Sequence, residues 1–471
     1  MGRKVIEAAD LSFTYAESSE GIRDVSFEIY EGELILLTGD SGCGKSTLLK
    51  CLNGLIPEIN EGELTGKLFI HGKDYSGLKM HELNSDIGSV FQNPRSQFFT
   101  DNTTAELVFP MENYGYSKAE MDEHLEKLTE EFSLQGLLDR SIFTLSSGER
   151  QMVALASSLT MDQKILLFDE PSANLDYGNA MKLGRLIGRM KKEGITVIVS
   201  DHRFYYLNGI IDRVFFMNEG TLNVYDSEEE FKCSGYNARS FDLFSLDITF
   251  KEKTGSAETA ANMSGVSYKD ILKDINLELR KGETTVIVGP NGAGKTTLAK
   301  ILCKSIKPDK GSIKMDTIPF FIMQDPDYQL FGTSVHNELT IVKKDEEKIK
   351  GYLERFNLYK YRHTHPFDLS GGQKQRLQIS MAMLCDKDVI IFDEPTSGLD
   401  VSSMLRVSGE INELGSGSSV VVISHDYEFI RHVADRIVYI SDGRVQNDFR
   451  LNSETLPLLN DIFIRMQEEV K

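Results

Sequence analysis

Short, unbroken runs of aliphatic residues recur along this chain in two sets: Leu34–Thr38, Ile165–Phe168 and Thr196–Ser200, then Thr284–Val288, Val389–Phe392 and Val420–Ser424. Runs of this length without polar alternation mark strands covered on both faces, and between them apolar residues fall at helical spacing. The alternation predicts an α/β fold built on a mainly parallel sheet wrapped by helices. The two sets also form an internal repeat. Gly39, Asp40, Ser41, Gly42, Cys43, Gly44, Lys45 and Ser46 are answered by Gly289, Pro290, Asn291, Gly292, Ala293, Gly294, Lys295 and Thr296, an offset of 250 between the lysines. Leu145 to Asp169 spans the same 24 steps as Leu369 to Asp393. From Ser46 to Gln92 there are 46 steps, against 28 from Thr296 to Gln324, so the second copy has lost surface decoration. Periodicity lapses around Gly235–Ala261, most of all in the stretch from Lys251 to Ser256. Such Gly, Ser, Lys, Glu and Thr content reads as a linker. The expected division is a first domain over 1–240, a linker over 241–257 and a second domain over 258–471.

Composition narrows what such a chain can do. With 471 residues, each copy is long enough to bury its own core, and 40% hydrophobic with 26% charged content is that of a soluble globular protein. The 72 acidic against 52 basic residues give a net charge of −20, the wrong sign for a protein whose affinity rests on neutralising many phosphates. Extended nucleic-acid binding is therefore not expected. No apolar run approaches the roughly 20 residues needed to cross a bilayer. Met1 to Glu7 leads directly into a strand pattern with no long apolar stretch before a cleavage site, so the chain is expected to stay in the cytosol. Cys43, Cys51, Cys233, Cys303 and Cys385 are scattered without metal-ligand spacing and read as reduced thiols. Cys43 alone sits at a predicted helix N-terminus, where a lowered pKa would open it to redox control; the plainer reading is a neutral loop-filling residue.

Each glycine-rich loop follows an apolar strand and opens a helix, the setting in which backbone N–H groups turn inward around phosphates and the helix dipole favours the anion. Lys45 and Lys295 are expected to contact the phosphates. Ser46 and Thr296 supply a hydroxyl to Mg²⁺, which prefers oxygen ligands and keeps part of its water shell. The strands that end in Asp169-Glu170 and Asp393-Glu394 place two carboxylates at a strand's C-terminal end, where doubly wound folds bind ligands. Two roles follow: Asp169 and Asp393 hold the metal through its water shell, while Glu170 and Glu394 orient and deprotonate an attacking water.

The phosphate loop alone leaves GTPases, kinases and helicases open. Leu145-Ser146-Ser147-Gly148-Glu149 and Leu369-Ser370-Gly371-Gly372-Gln373 resemble the signature of ATP-binding-cassette (ABC) ATPases. The resemblance covers nearly the whole chain: phosphate loop, Gln92 or Gln324, signature, Asp-Glu pair, Asn174-Leu175-Asp176 or Gly398-Leu399-Asp400, then His202 or His425. It implies two tandem P-loop NTPase domains, each with a mainly parallel core, an antiparallel β part and a helical subdomain. It also implies ATP and Mg²⁺ as cofactors, with Thr47 and Thr297 at the nucleotide and Gln92 and Gln324 at the metal. In this family one copy's phosphate loop and the other copy's signature enclose each ATP. One site would pair Lys45, Ser46 and Glu170 with Ser370, Gly372 and Gln373, and the other Lys295, Thr296 and Glu394 with Ser146, Gly148 and Glu149. His202 and His425 would contact the γ-phosphate, and Tyr15 and Tyr268 resemble the aromatic that stacks on adenine. The first signature departs from the family at Ser147 and Glu149, which implies a slower second site.

Phe91-Gln92-Asn93-Pro94 through Phe99, and Met323-Gln324-Asp325-Pro326 through Phe331, are similar to the glutamine-loop extension of energy-coupling factor (ECF) ATPases. Ser200-Asp201-His202-Arg203 also resembles the switch of that family's fused members. The resemblance implies a motor at the cytoplasmic face of the membrane, importing a vitamin or metal ion through a transmembrane scaffold and a separate membrane substrate-binding subunit. Scaffold helices that are basic in that family would find partners in Glu106, Glu112 and Glu338. Fused sugar-importer ATPases are a rival, although they usually have one degraded site and both glutamates stand here. Translation-associated members carry a long charged connector, which this acidic chain lacks.

Overall fold

The computed structural model describes residues 2–16, 20–74, 86–91, 97–132, 134–145, 147–161, 163–236, 239–250 and 258–469. The chain forms two compact units, Met1–Asp242 and Leu243–Lys471. In the first, an antiparallel sheet joins β1 (Lys4–Tyr15), β2 (Gly21–Tyr30), β4 (Gly62–Ile70) and β5 (Lys73–Asp74) in the order β2-β1-β4-β5. The main sheet adds β3 (Leu34–Gly39), β6 (Ile87–Val90), β7 (Ile165–Asp169), β8 (Thr196–Ser200), β9 (Arg213–Asn218) and β10 (Thr221–Tyr225) in the order β10-β9-β3-β8-β7-β6. It is parallel except for β10. The second unit repeats the plan. A sheet β12-β11-β14 combines β11 (Thr259–Tyr268), β12 (Leu272–Arg280) and β14 (Lys310–Met315). The other runs β15-β16-β17-β13-β18-β19, from β13 (Thr284–Val288), β15 (Phe320–Ile322), β16 (Val389–Asp393), β17 (Ser419–Ile423), β18 (Arg436–Ser441) and β19 (Arg444–Arg450).

Burial explains the strand composition. Every residue of β3, β8, β13, β16 and β17 is buried, as the continuous apolar runs require of strands packed on both faces. The antiparallel strands alternate instead, and their inward residues, such as Phe13, Ile22 and Val25, share a core with the phosphate-loop helix residues Leu48 and Leu52. Between β6 and β7 the first unit inserts the helices Thr103–Asn113, Lys118–Glu131 and Ser147–Ser157; between β15 and β16 the second inserts Val335–Val342, Glu346–Arg355 and Gly371–Leu384. Each unit thus has the parallel core, antiparallel part and helical part that the resemblance implies.

The stretch around the unit boundary is packed where it is described. Phe241 lies 4.4 Å from Phe204 in the first unit. In the second, Arg431 donates to the carbonyls of Leu246 at 3.4 Å and Ile248 at 2.9 Å. Residues 251–257, the centre of the expected linker, lie outside the described residues.

One glycine has a packing role that composition alone would misjudge. Gly184 sits inside the helix Tyr177–Lys192, where alanine ordinarily gains about 1 kcal/mol. Here an added Cβ would stand 2.0 Å from the Tyr206 carbonyl oxygen, a backbone atom that cannot step aside. Overpacking outweighs propensity, so Gly184→Ala is expected to lose about 1–3 kcal/mol in a denaturant titration of the first unit.

Candidate functional site

Both phosphate loops leave the C-terminal end of a buried strand and enter a helix, Lys45–Asn53 or Lys295–Leu302. Each helix is capped by a glycine in the left-handed region, Gly44 at φ 108° and Gly294 at φ 97°. A Cβ there would meet Ile22 at 2.9 Å or Leu272 at 2.7 Å, so both conformation and space require glycine. Lys45 Nζ donates to the carbonyls of Gly39 and Asp40, each at 2.9 Å. Lys295 Nζ donates to Gly289 at 2.7 Å and Pro290 at 2.9 Å. Both ammonium groups are therefore held at the loop.

The hydroxyl and carboxylate expected at a metal stand together in both copies. Ser46 Oγ donates to Asp169 Oδ1 at 3.3 Å and Thr296 Oγ1 to Asp393 Oδ2 at 2.9 Å. Hard oxygen donors beside a phosphate loop fit Mg²⁺, which is finished by nucleotide phosphates and water rather than by an all-protein cage. Burial raises the Asp169 carboxyl above its usual range, and burial followed by the charge of Glu394 pushes Asp393 up to about 6. A cation bound there would reverse both shifts.

Next in sequence, Glu170 and Glu394 adopt φ of 47° and 49°, a conformation rare for a side chain of this size. Each is held by its amide, Glu170 N to Ser200 O at 2.7 Å and Glu394 N to Ile423 O at 2.9 Å. A buried histidine faces each carboxylate: His425 Nδ1 lies 2.7 Å from Glu394 Oε1, and His202 Nε2 lies 3.6 Å from Glu170 Oε1. Burial, then Asp201, then Asp169 push the Glu170 carboxyl up to about 8.

The other expected positions divide. Tyr15, at the end of β1, shares a hydrogen bond with Thr47 Oγ1 at 3.2 Å beside the loop helix, whereas Tyr268 ends β11 half-buried with Lys269 over its ring at 5.2 Å. Ser370 and Gly372 open the helix Gly371–Leu384 at the surface, and Gln373 Oε1 accepts from Ser370 N at 2.9 Å. The first signature differs: Ser146 lies outside the described residues, and Gly148 is buried with Asn179 3.1 Å from where its Cβ would be. Glu149 is drawn into an ion pair with Arg140 at 3.2 Å, so its charge does not stand uncompensated. Gln92 lies outside the described residues; Gln324 is exposed beyond β15, and Thr297 is half-buried. Cys43 is buried and its thiol is raised by that burial, contrary to a helix-lowered, redox-poised group.

Glu106 and Glu338 require correction as surface partners for a basic helix. Both are 2% exposed. Glu106 Oε2 accepts from Phe99 N at 3.0 Å, Thr100 N at 2.9 Å and Thr100 Oγ1 at 3.0 Å, and Glu338 Oε2 accepts from Phe331 N at 3.0 Å and from Gly332 N. Each carboxylate turns inward, where it accepts charge-assisted hydrogen bonds from these amides. Glu112 alone of the three is exposed. Gln97 and Gln329, which sequence reasoning treated only as part of a motif, complete the device. Gln97 bridges Phe91 N and Ser89 O at 3.2 and 3.3 Å; Gln329 bridges Met323 N and Phe321 O at 3.0 and 2.7 Å. Replacing Glu106 by alanine takes the buried acceptor from the Phe99 and Thr100 amides, and a loss of about 1–3 kcal/mol in unfolding free energy is expected, smaller in Glu106→Gln.

A doubled α/β unit with phosphate loop, Asp-Glu pair and histidine at the ends of neighbouring parallel strands defines a two-cassette nucleotide-hydrolysing protein. The sequence pattern of the ABC transporter family matches residues 22–173 and 272–397, and the chain belongs to that family as an ATPase with two fused domains. It is 37% identical over 479 residues to an ABC transporter ATP-binding protein, provisionally so named, of Treponema denticola, covering 95% of this chain and 97% of that one. It is 31% identical over 99% of its length to a Bacillus subtilis protein provisionally named the HMP/thiamine import ATP-binding protein YkoD, of which it covers 98%. Among solved structures, the archaeal ribosome recycling factor aABCE1 superposes with a TM-score of 0.68 at 23% identity, over 96% of this chain and 92% of that one. This last likeness concerns the fold alone. Among the described residues, no helix is long and apolar enough to cross a membrane.

Proposed function

We propose that this chain is the ATP-hydrolysing motor of an ECF-type membrane importer. It acts at the cytoplasmic face of the membrane on a transmembrane scaffold, which works with a membrane substrate-binding subunit to take up a vitamin or metal ion. The observation that carries this reading is the full-length likeness to a protein named for HMP/thiamine import. Two features support it. Both copies retain lysine, Asp-Glu pair and histidine, unlike an importer with one spent site. In both copies the pinned segment after the glutamine loop also exposes an aromatic, Phe99 at 77% and Phe331 at 79%, suited to an apolar socket on a partner.

In this reading Lys45 and Lys295 bind phosphates, Ser46 with Asp169 and Thr296 with Asp393 hold Mg²⁺, and Mg²⁺ supplies charge neutralisation at the β- and γ-phosphates. Glu170 and Glu394 accept the proton of the attacking water, with His202 and His425 holding the carboxylates and the γ-phosphate.

Uptake assays test the proposal in cells lacking the chain and complemented with wild type or with Glu170→Gln/Glu394→Gln. The expected result is loss of labelled HMP, thiamine, cobalt or nickel uptake that only wild type restores. Loss of labelled sugar uptake instead selects the fused sugar-importer reading. Unchanged uptake of all of them, with the chain sedimenting on ribosomes, ends the importer reading.

A further inference from the structure

Two buried charges beside the first site take no part in the chemistry above. Asp201 and Arg203, 2% and 6% exposed, flank His202. Arg203 Nη2 donates to the carbonyls of Ser172 at 2.7 Å and Ala173 at 2.9 Å, the second and third residues after Glu170. Asp201 grips the same turn by its amide, accepting at Oδ2 from Ser172 N at 3.2 Å and from Tyr206 Oη at 2.8 Å. Its Oδ1 accepts from His202 N at 2.7 Å and Arg203 N at 3.0 Å. An anion and a cation therefore strap the segment that carries Glu170 to the one that carries His202. Each charge is tolerable in this dry setting only while the other, and the backbone dipoles between them, remain.

The second unit solves the same problem differently. Leu37 pairs with Ser200 and Ile287 with Ile423, so Asp201 corresponds to Ser424 and Arg203 to Asp426. There Asp426 Oδ2 accepts from Thr396 Oγ1 at 3.1 Å, and its Oδ1 caps the helix Tyr427–Val433 through Phe429 N at 3.2 Å. Ser424 Oγ accepts from Asp426 N at 3.1 Å. A hydroxyl and a helix cap stand where the first unit places a guanidinium.

We infer that Arg203 is a positioning residue for hydrolysis in the first unit alone: by fixing the Ser172 and Ala173 carbonyls it sets the turn from which Glu170 points. The inference rests on the reading of Glu170 as the base. A glutamate at φ 47° keeps that conformation only while its surroundings hold it, and the turn directly after it is where the hold is applied. Without the guanidinium the turn loses the two hydrogen bonds to its carbonyls, and the bond from Ser172 N to Asp201 is left to tie it to the segment that carries His202. The turn then relaxes, and displacement of a catalytic group by about 1 Å costs on the order of 10² in rate. Both carbonyls are served by one nitrogen, so a lysine ammonium reproduces part of the hold while lacking the planar fork.

The test places Arg203→Ala and Arg203→Lys in the full chain, in two backgrounds. Glu394→Gln leaves turnover to the first unit's glutamate, and Glu170→Gln leaves it to the second's. Expected in the first background is a loss of about tenfold or more in kcat for Arg203→Ala, with the KM for ATP within about twofold and partial recovery in Arg203→Lys. The loss in the second background is expected to be at least about fivefold smaller. Equal losses in both backgrounds, or a KM rise without a kcat fall, would mark a merely structural residue and overturn the inference, as would no loss in the first. If the parent Glu170→Gln matches wild-type turnover, the reading of Glu170 itself fails and takes the inference with it, an outcome visible before any Arg203 variant is compared.

Discussion

Exchange of both Glu170 and Glu394 for glutamine is expected to lower steady-state ATP hydrolysis by about 10²–10⁴ while ATP affinity stays within a few-fold. Glutamine keeps the shape of the side chain but cannot take a proton from water. The phosphate loop, its lysine and the Ser46 or Thr296 hydroxyl lie on another segment, and the adjacent Asp169 or Asp393 side chain is unchanged, so the substitution leaves the binding apparatus in place. Each glutamate also occupies the left-handed region with its amide bonded to the neighbouring strand, Glu170 to Ser200 and Glu394 to Ile423, which fixes the carboxylate at the strand end beside its histidine. Backbone strain of about 1–3 kcal/mol is retained at such positions where geometry matters. Single variants are expected to lower turnover, and the double variant to retain nucleotide through gel filtration. Phosphate release near the wild-type rate in the double variant would remove both residues from the proposed chemistry.

What could be read from the chain beforehand followed from periodicity and local spacing. The six apolar runs became strands with ends shifted by at most one residue, because a strand covered on both faces has no polar position to blur its pattern. The lysines, the hydroxyl–carboxylate pairs and the glutamate–histidine pairs were legible for a related reason: each lies at a strand end, and parallel strands bring those ends together. Contacts made across the fold were not legible. Glu106 and Glu338 fall in the first turn of a helix, where an acid usually faces solvent and complements the dipole; only the return of the preceding loop turns them into buried acceptors. Gln97 and Gln329 reach backbone six and eight residues away. Glu149 was visible as an unwanted charge, but its compensation by Arg140, nine residues upstream, depends on how a loop packs against a helix. Arg203 was visible only as a letter in a motif, since the carbonyls it holds belong to a different strand–loop connection.

Lys45→Ala and Lys295→Ala are each expected to weaken nucleotide binding sharply in their own unit and leave the other unit's intact. Each ammonium is buried and shares its protons between two loop carbonyls, so the loop is built around a cation. Removing it leaves those carbonyl dipoles near the position of an incoming polyphosphate, where they repel what the backbone amides attract. Loss of one partner of a buried, hydrogen-bonded charge costs about 2–5 kcal/mol, a weakening of roughly 30- to several-thousand-fold. Titration calorimetry with a Mg²⁺-bound, non-hydrolysed ATP analogue should show the stoichiometry falling from two to one in either variant, and to none in the pair. The glutamate variants should keep both sites, which separates binding from turnover. Arginine is not a substitute, because its planar five-donor fork does not fit where Lys45 is enclosed with Cys43 Sγ 3.8 Å from its nitrogen. Two sites at parental affinity in Lys45→Ala would mean that the loop amides and helix dipole alone carry the phosphates, and the lysine would then have to be assigned to loop structure.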